Sequence, residues 1–257
     1  MQRLQGKTAI VTGGAKGIGA AIARRFAAEG GNVFIADLNL DRARETASEI
    51  AAKGGSATAC QLDISDRAGV DELIAGIEAR HGAIGVLVNN AGVNVFHAPL
   101  DLMDEDWDRC MAVDLKGAWN CSRAVLPGMV DRRYGAIINI ISNHAFSVIK
   151  STFPYPVAKH GLLGMTRALA LEYADRGIAI NAISPGYTDT DLAAAEFAKS
   201  PDPATARAQA EAKQPVGRLC RPDEVAAIAA LLASDEARFM IGENIVIDGG
   251  VTIRMYE

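Results

Sequence analysis

At 257 residues, 49% of them hydrophobic and only 5% aromatic, the chain is long enough for one large α/β domain with a core built mostly of Ala, Val, Ile and Leu. Its formal net charge of −5 offers no basic field for nucleic acid or an anionic membrane surface. The opening MQRLQGKTAIVTGG lacks the layout of a signal peptide, and no run reaches the roughly 18 apolar residues a membrane helix needs.

Strand and helix patterns alternate almost throughout. KTAIVT (7–12) reads as a buried strand, and a helix with Ala, Ile and Phe on one face follows over 18–29. NVFIAD (32–37) is a second strand, then a polar helix over 41–53, a third strand SATACQLD (56–63), a helix over 67–81 and a fourth strand IGVLVN (84–89). A long helical region covers 104–132, with a possible break at Asp114. GAIINIIS (135–142) is a fifth strand, 155–175 a helix, IAINAIS (178–184) a sixth strand, 222–234 a helix and ENIVID (243–248) a seventh strand. Strands apolar at nearly every residue suit a parallel sheet covered on both faces. The expected fold is therefore α/β, a doubly wound Rossmann-type parallel sheet of about seven strands with helices on both faces, in a single domain over 1–257. The irregular segment 187–221, with SPDPAT in its middle, reads as a partly helical lid.

The chemistry begins at TGGAKGIG, Thr12 to Gly19, which follows the first strand and opens a helix. Glycines there let the backbone turn tightly and approach a pyrophosphate, whose charge a helix N-terminus favours. Gly13, Lys16, Gly17, Ile18 and Gly19 are the candidates for that contact. Asp37, with Leu38 after it, ends the second strand about 20 residues on, where an acid can accept from both ribose hydroxyls. A carboxylate there repels the extra 2′-phosphate of NADP, so NAD is the expected cofactor and NADP the less favoured one. The alternative reading of Asp37 is a cap of the next helix. Asp63 and Ile64 end the third strand; either the carboxylate accepts from an adenine amino group with Ile64 against the ring, or Asp63 caps the following helix. Asn90, Ala91 and Gly92, in NNAG, end the fourth strand at the crevice where such sheets bind ligands.

Tyr155 and Lys159, in FPYPVAK, stand at i and i+4 and share a helix face. A free phenol, with a pKa of about 10, is a poor base at neutral pH. A nearby ammonium favours the phenolate and lowers that value. Ser142, at the end of the fifth strand, can hold the substrate oxygen while Tyr155 moves its proton. Pro154 and Pro156 fit the entry and first turn of the helix that carries the pair.

Taken together, TGGAKGIG, NNAG, Ser142 ahead of YPVAK, and PGYTDT (Pro185 to Thr190) make the chain resemble the short-chain dehydrogenase/reductase family over essentially its whole length. The resemblance implies an NAD(P)-dependent alcohol or ketone reaction and usually a homotetramer. It implies that Tyr155 is the general acid/base, that Ser142 orients the carbonyl, and that Lys159 both lowers the tyrosine pKa and holds the nicotinamide ribose. It places Pro185, Gly186, Thr188 and Thr190 against the nicotinamide. One position departs: the family usually has asparagine where VDLKG carries Asp114. That carboxylate joins the catalytic candidates, and pairing with Lys159 would weaken the ammonium's pull on the phenol.

The substrate is less defined. Asn94, Asn143, His144, Lys150 and Tyr187, with Phe96 and Phe153, are pocket candidates, and Arg254 could reach a neighbouring subunit's site. This polar set favours a small hydroxyl- or carboxylate-bearing substrate, and the stretches around WDRCMAVDLKGAWNCSRAVLPGM and PYPVAKHGLLG look most like dehydrogenases of sugars and sugar-derived acids. A 3-oxoacyl thioester reductase using NADPH and a non-catalytic cofactor-sensing protein are the competing classes. The four cysteines (Cys60, Cys110, Cys121, Cys220) form no C-x-x-C pair, so no metal is expected, and reduced thiols fit a cytoplasmic location.

Overall fold

The computed structural model describes residues 2–255. Its strands are β1 (Thr8–Thr12), β2 (Asn32–Asp37), β3 (Ser56–Gln61), β4 (Ile84–Asn89), β5 (Phe96–His97), β6 (Gly135–Ile140), β7 (Phe153–Pro154), β8 (Ile178–Pro185) and β9 (Asn244–Ile247). All but β5 and β7 form one parallel sheet of seven strands in the order β3-β2-β1-β4-β6-β8-β9. The expected architecture is therefore present. β1, β4, β6 and β8 are buried at every residue, which is why they read as unbroken apolar runs. β3 is one of the two edge strands, and it is partly exposed along its length, so SATACQ carries a weaker apolar signal.

The helices are α1 (Gly17–Ala28), α2 (Leu40–Ala52), α3 (Arg67–His81), α4 (Asp104–Met111), α5 (Ala118–Arg132), α6 (Tyr155–Tyr173), α7 (Asp191–Phe197), α8 (Pro203–Ala212) and α9 (Pro222–Leu232). Because strand side chains alternate between faces, Ala9, Val11, Val33 and Ile35 pack with α1, α2 and α9 in one core. Ile10, Phe34 and Ala36 pack with α3, α5 and α6 in the other. The helical region expected over 104–132 is not broken at Asp114; α4 passes into α5 through a π-helical turn, Ala112–Gly117, that contains it. Such widened turns insert an extra residue into the helix and recur at functional sites.

The strand order reverses between β1, which runs on to β2 and β3, and β4, which leads to β6. Open parallel sheets bind ligands at the carboxyl ends of the strands flanking such a switch point. Here those ends carry Thr12–Gly19 and Asn89–Gly92.

Candidate active site

The first wall of the crevice is made of backbone. Gly13 has a φ of +61°, and a Cβ there would lie 2.8 Å from the Ala91 Cα. A Cβ on Gly19 would lie 2.2 Å from the Gly13 carbonyl oxygen. Only glycine lets the first turn of α1 pack this closely on the β1 end. α1 begins without a side-chain cap and without an acid in its first turn, so its leading N–H groups remain open to an anion. Lys16 is exposed beside that turn, and Ile18 packs against the α1 core.

Asn90 holds this loop from the neighbouring strand. Its side-chain amide donates to the carbonyls of Thr12 (3.0 Å) and Gly13 (2.9 Å). The buried Thr12 hydroxyl accepts from the N–H groups of Asn90 (3.0 Å) and Ala91 (3.1 Å) and donates to the Val88 carbonyl (3.2 Å). Thr12 was not among the candidates; a hydroxyl closing an apolar strand just before the glycines is the signal that points to it.

Asp37 does not cap α2; Asn39 does, accepting from the Arg42 N–H at 3.0 Å. The Asp37 carboxylate accepts instead from the N–H groups of Ala15 (3.0 Å) and Asn39 (3.0 Å), which fixes it at the β2 end facing the glycine loop. Leu38 is exposed beside it, and Leu38, Asn39, Leu40, Asp41 and Gln61 line an open cavity of about 530 Å³. Likewise Asp66, not Asp63, caps α3. Asp63 is exposed and accepts from the Ser65 N–H and hydroxyl. Ile64 is buried and packs onto Gly117, where a Cβ would come within 2.5 Å of its side chain.

The second wall carries Ser142, Tyr155 and Lys159. Asn89 donates to Ser122 Oγ (3.0 Å) and to Asn139 Oδ1 (2.8 Å), and Asn139 donates to Thr166 Oγ1 (2.8 Å). This buried polar chain ties β4, β6, α5 and α6 together and sets α6 against the sheet. Pro154 stands at the N-cap of α6 and Pro156 in its first turn, so Tyr155 and Lys159 point from the first turns of a fixed helix. Lys159 Nζ lies 5.2 Å from the Tyr155 ring centroid.

Lys159 is paired. Its ammonium is 3.1 Å from Asp114 Oδ1, and the two side chains are 5% and 0% exposed. Asp114 also accepts from the Val93 N–H (3.2 and 3.3 Å to its two oxygens) and stands 3.8 Å from Cys110 Sγ. Gly92 covers the pair, since a Cβ there would lie 2.6 Å from Asp114 Oδ1. Burial opposes the Lys159 charge, but Asp114, with Tyr155 behind it, outweighs burial and holds the ammonium's pKa above its ordinary value. Burial also pushes the Cys110 thiol up to about 12, with Asp114 adding to the push.

For Tyr155 the expected direction reverses. Burial raises its pKa most; Lys159 pulls it down, Asp114 pushes it back up, and the Ser142 hydroxyl lowers it, leaving the phenol above its ordinary value. The ammonium acts as anticipated, but it does not win in the protein alone.

Ser142 follows β6 and accepts from the His144 N–H at 3.2 Å. Its hydroxyl lies 3.3 Å from both Asn143 Oδ1 and His144 Nδ1. His144 is half-buried, stacks on Phe96 (centroids 6.5 Å apart) and meets the Tyr155 ring edge-on (5.7 Å), and its Nε2 is buried without a partner. Burial lowers its pKa, so the ring is held neutral. The pocket candidates thus divide. His144, Asn143 and Phe96 gather round Ser142 and Tyr155, whereas Asn94, Lys150 and Arg254 are exposed.

At the end of β8, Pro185 is buried and Gly186 passes so close to the residue after β9 that a Cβ would lie 2.7 Å from the Asp248 Cα. Thr188 donates to the Gly186 carbonyl, and Thr190 caps α7 while its methyl faces Gly17, bringing this segment over the glycine loop. Tyr187 packs on Phe197 of α7, and Arg207 of α8 makes a bidentate pair with Asp189 (3.0 and 2.7 Å), a tie that the sequence did not suggest. Among the described residues no His, Cys, Asp and Glu cluster could hold a metal ion, and no helix is long and apolar enough to cross a membrane.

A family model described as Enoyl-(Acyl carrier protein) reductase matches residues 13–252. The chain belongs to the short-chain dehydrogenase/reductase family. This short-chain dehydrogenase/reductase is 43% identical over 254 residues to 3beta-hydroxysteroid dehydrogenase 1 of Eggerthella lenta, spanning 97% of this chain and 95% of that one. It is 39% identical over 256 residues to oxidoreductase UcpA of Salmonella typhimurium, spanning 98% and 97%. Among solved structures, a putative NAD(P) dependent gluconate 5-dehydrogenase from Beutenbergia cavernae, with NADP bound at low occupancy, superposes with a TM-score of 0.91 at 35% identity over 98% of both chains. The short-chain dehydrogenase/reductase described here is accordingly an oxidoreductase that uses a nicotinamide dinucleotide.

Proposed function

We propose that this oxidoreductase interconverts a secondary alcohol and a ketone on a sugar or sugar-derived acid, with NAD(H) as its cofactor. The observation that carries the reading is the convergence of Ser142, Tyr155 and a buried Lys159 beside a glycine cradle that no Cβ could enter.

The residues present fit a dinucleotide. The open α1 N-terminus, Gly13, Gly17 and Gly19 would take the pyrophosphate. Asp37 would take a ribose, Asp63 the adenine, Lys159 the other ribose, and Asn90, Ala91, Gly92 and Pro185–Thr190 the nicotinamide side. When bound, the nicotinamide supplies or accepts the hydride. The chain's own groups manage the oxygen: Ser142 donates to it, and Tyr155 gives it a proton in reduction or removes one in oxidation. His144, neutral and with Nε2 unpartnered, adds a donor or acceptor for a second substrate hydroxyl.

The choice of NAD rests on charge. Asp37 is already fixed by two backbone N–H groups at the end of β2, and the nearby Arg42 is engaged by Glu45 at 2.7 Å. A 2′-phosphate would meet the carboxylate without a free guanidinium beside it. The solved relative that holds NADP makes the opposite choice the one to exclude.

A second reading is an apolar ring alcohol. Phe96, edge-on to Tyr155, is exposed, as are Phe146, Val148 and Ile149 in the loop after Ser142, and the relative at 43% identity acts on a hydroxysteroid by name. The test is reduced-cofactor absorbance with aldonic acids, polyols and 3β-hydroxysteroids, each offered NAD⁺ and NADP⁺. Turnover of an aldonic acid or polyol with NAD⁺ is expected. Preference for the steroid rejects the substrate class, and preference for NADP⁺ rejects the role of Asp37.

A further inference from the structure

Asp114 takes the position where the family resemblance leads one to expect asparagine, and the geometry gives the exchange a consequence. An amide there would leave Lys159 as an uncompensated buried cation facing the phenol. The carboxylate instead sits 3.1 Å from Nζ, fully buried, fixed by the Val93 N–H and roofed by Gly92. We infer that Asp114 is a positioning residue that balances the Lys159 charge, so that Tyr155 holds its proton more tightly and the site favours proton delivery, and hence carbonyl reduction, at neutral pH. This rests on the reading of Tyr155 as the proton carrier.

The groups facing Tyr155 are few. Lys159 lies one turn along on α6, Asp114 comes from the π-helical turn, Cys110 from α4, Ser142 and His144 from the loop after β6, and Phe96 from β5. Of these, Lys159 and Asp114 carry opposite charges; burial keeps the Cys110 thiol protonated and His144 neutral. The field at the phenol is therefore set by one ion pair, and in a buried site such a field is only weakly screened. In reduction the Tyr155 O–H bond breaks and its proton goes to the substrate oxygen as the carbonyl carbon accepts hydride from the reduced dinucleotide; the phenolate then regains a proton from water. In oxidation the phenolate must form first. A carboxylate that offsets the ammonium keeps the phenol protonated over a wider pH range and moves efficient oxidation to alkaline pH.

The experiment needs no substrate, so its failure is separate from failure of the proposed reaction. The ultraviolet absorbance of tyrosinate is titrated in the full-length protein, alone and saturated with NAD⁺, and the Tyr155→Phe form is subtracted to isolate Tyr155 from the chain's five tyrosines. Asp114→Asn, subtracted likewise, is expected to ionise Tyr155 about one pH unit or more below the unsubstituted protein, the scale of a nearby charge. Coincident curves overturn the inference, because a carboxylate with a merely structural role changes stability without moving the phenol. The double variant Asp114→Asn/Lys159→Met removes both charges and is expected to titrate close to the unsubstituted protein. It also decides the matter if the single variant does not fold: displacement of its curve by about one unit or more shows that the pair does not cancel at Tyr155.

Discussion

The two walls of the crevice are built by different means. The wall proposed for the cofactor, Thr12–Gly19 with Asp37 and Asn90–Gly92, is a set of close backbone approaches whose polar groups satisfy one another. The wall proposed for the substrate, residues 143–153 and 187–221, is assembled from loops and two short helices; α7 buries only Phe197 and α8 buries no residue. The first wall tolerates almost no change in volume. The second can exchange side chains at small cost to the fold, which is how one architecture serves unrelated substrates.

The strongest way to separate chemistry from cradle is Tyr155→Phe. It deletes the proton carrier and leaves the glycine wall untouched. kcat/KM should fall by about 10²–10⁴-fold, while the dissociation constant for the dinucleotide, measured by calorimetry, changes little. Retained turnover would remove the phenol from the mechanism.

Gly19→Ala tests the cradle itself. Its Cβ would lie 2.2 Å from the Gly13 carbonyl oxygen, and that atom belongs to backbone that cannot swing aside. Overpacking of this kind costs about 1–3 kcal/mol. The thermal midpoint should drop by several degrees, and dinucleotide affinity should fall with it. An unchanged midpoint and affinity would mean that the loop has slack that the packing does not suggest.

That contrast also explains what could be read from the chain. The cradle was legible because steric exclusion fixes residue type: where a Cβ cannot fit, glycine must stand, and its spacing is a signature. Tyr155, Lys159 and Ser142 were legible because a helix turn and a strand end fix their geometry. The hydrogen bonds of Thr12 and the Asn139 and Thr166 continuation of the Asn89 chain were not legible, because a hydroxyl or amide within an apolar run has no periodicity of its own; only the neighbouring strand gives it a partner. The net direction of the Tyr155 shift was not legible either. It is a balance of burial, Lys159 and Asp114, and burial appears only once α6 is packed. The exposure of Phe146, Val148 and Ile149 was not legible, because which side chains turn outward depends on a loop without repeating pattern.

On the substrate wall His144→Ala gives a smaller effect. Its Nε2 is buried and unpartnered, so a ring rotation that turns this nitrogen to a substrate hydroxyl gains a hydrogen bond that the free protein lacks. Losing one such contact costs about 1–1.5 kcal/mol, a fall in kcat/KM of about tenfold. For a substrate bearing a second hydroxyl the fall should appear, and for a simple monohydroxy alcohol it should not. An equal fall for both would assign His144 to holding Ser142.

The smallest effect comes where the segment 187–221 meets the rigid fold. Glu224, in the first turn of α9, accepts from Arg218 (2.8 and 2.7 Å) and from the Arg221 N–H (2.8 Å). Arg218 and the Arg221 N–H hold its carboxyl down to about 2, from an ordinary 4.5. A depressed carboxyl stabilises the folded state above its unfolded pKa and loses that contribution as pH falls through the folded value. The side chain is 32% exposed, so solvent screens the pair and the contribution stays below about 1 kcal/mol. Glu224→Gln should therefore lower the urea midpoint slightly at neutral pH, and the gap from the unsubstituted protein should close as pH drops from about 4.5 toward about 2, where the glutamate is itself neutral. A gap that persists in acid would assign the loss to packing at the α9 cap and not to charge. If the gap closes, the end of the segment is pinned to α9 by ionised contacts, whereas α7 and α8 bury little against the fold.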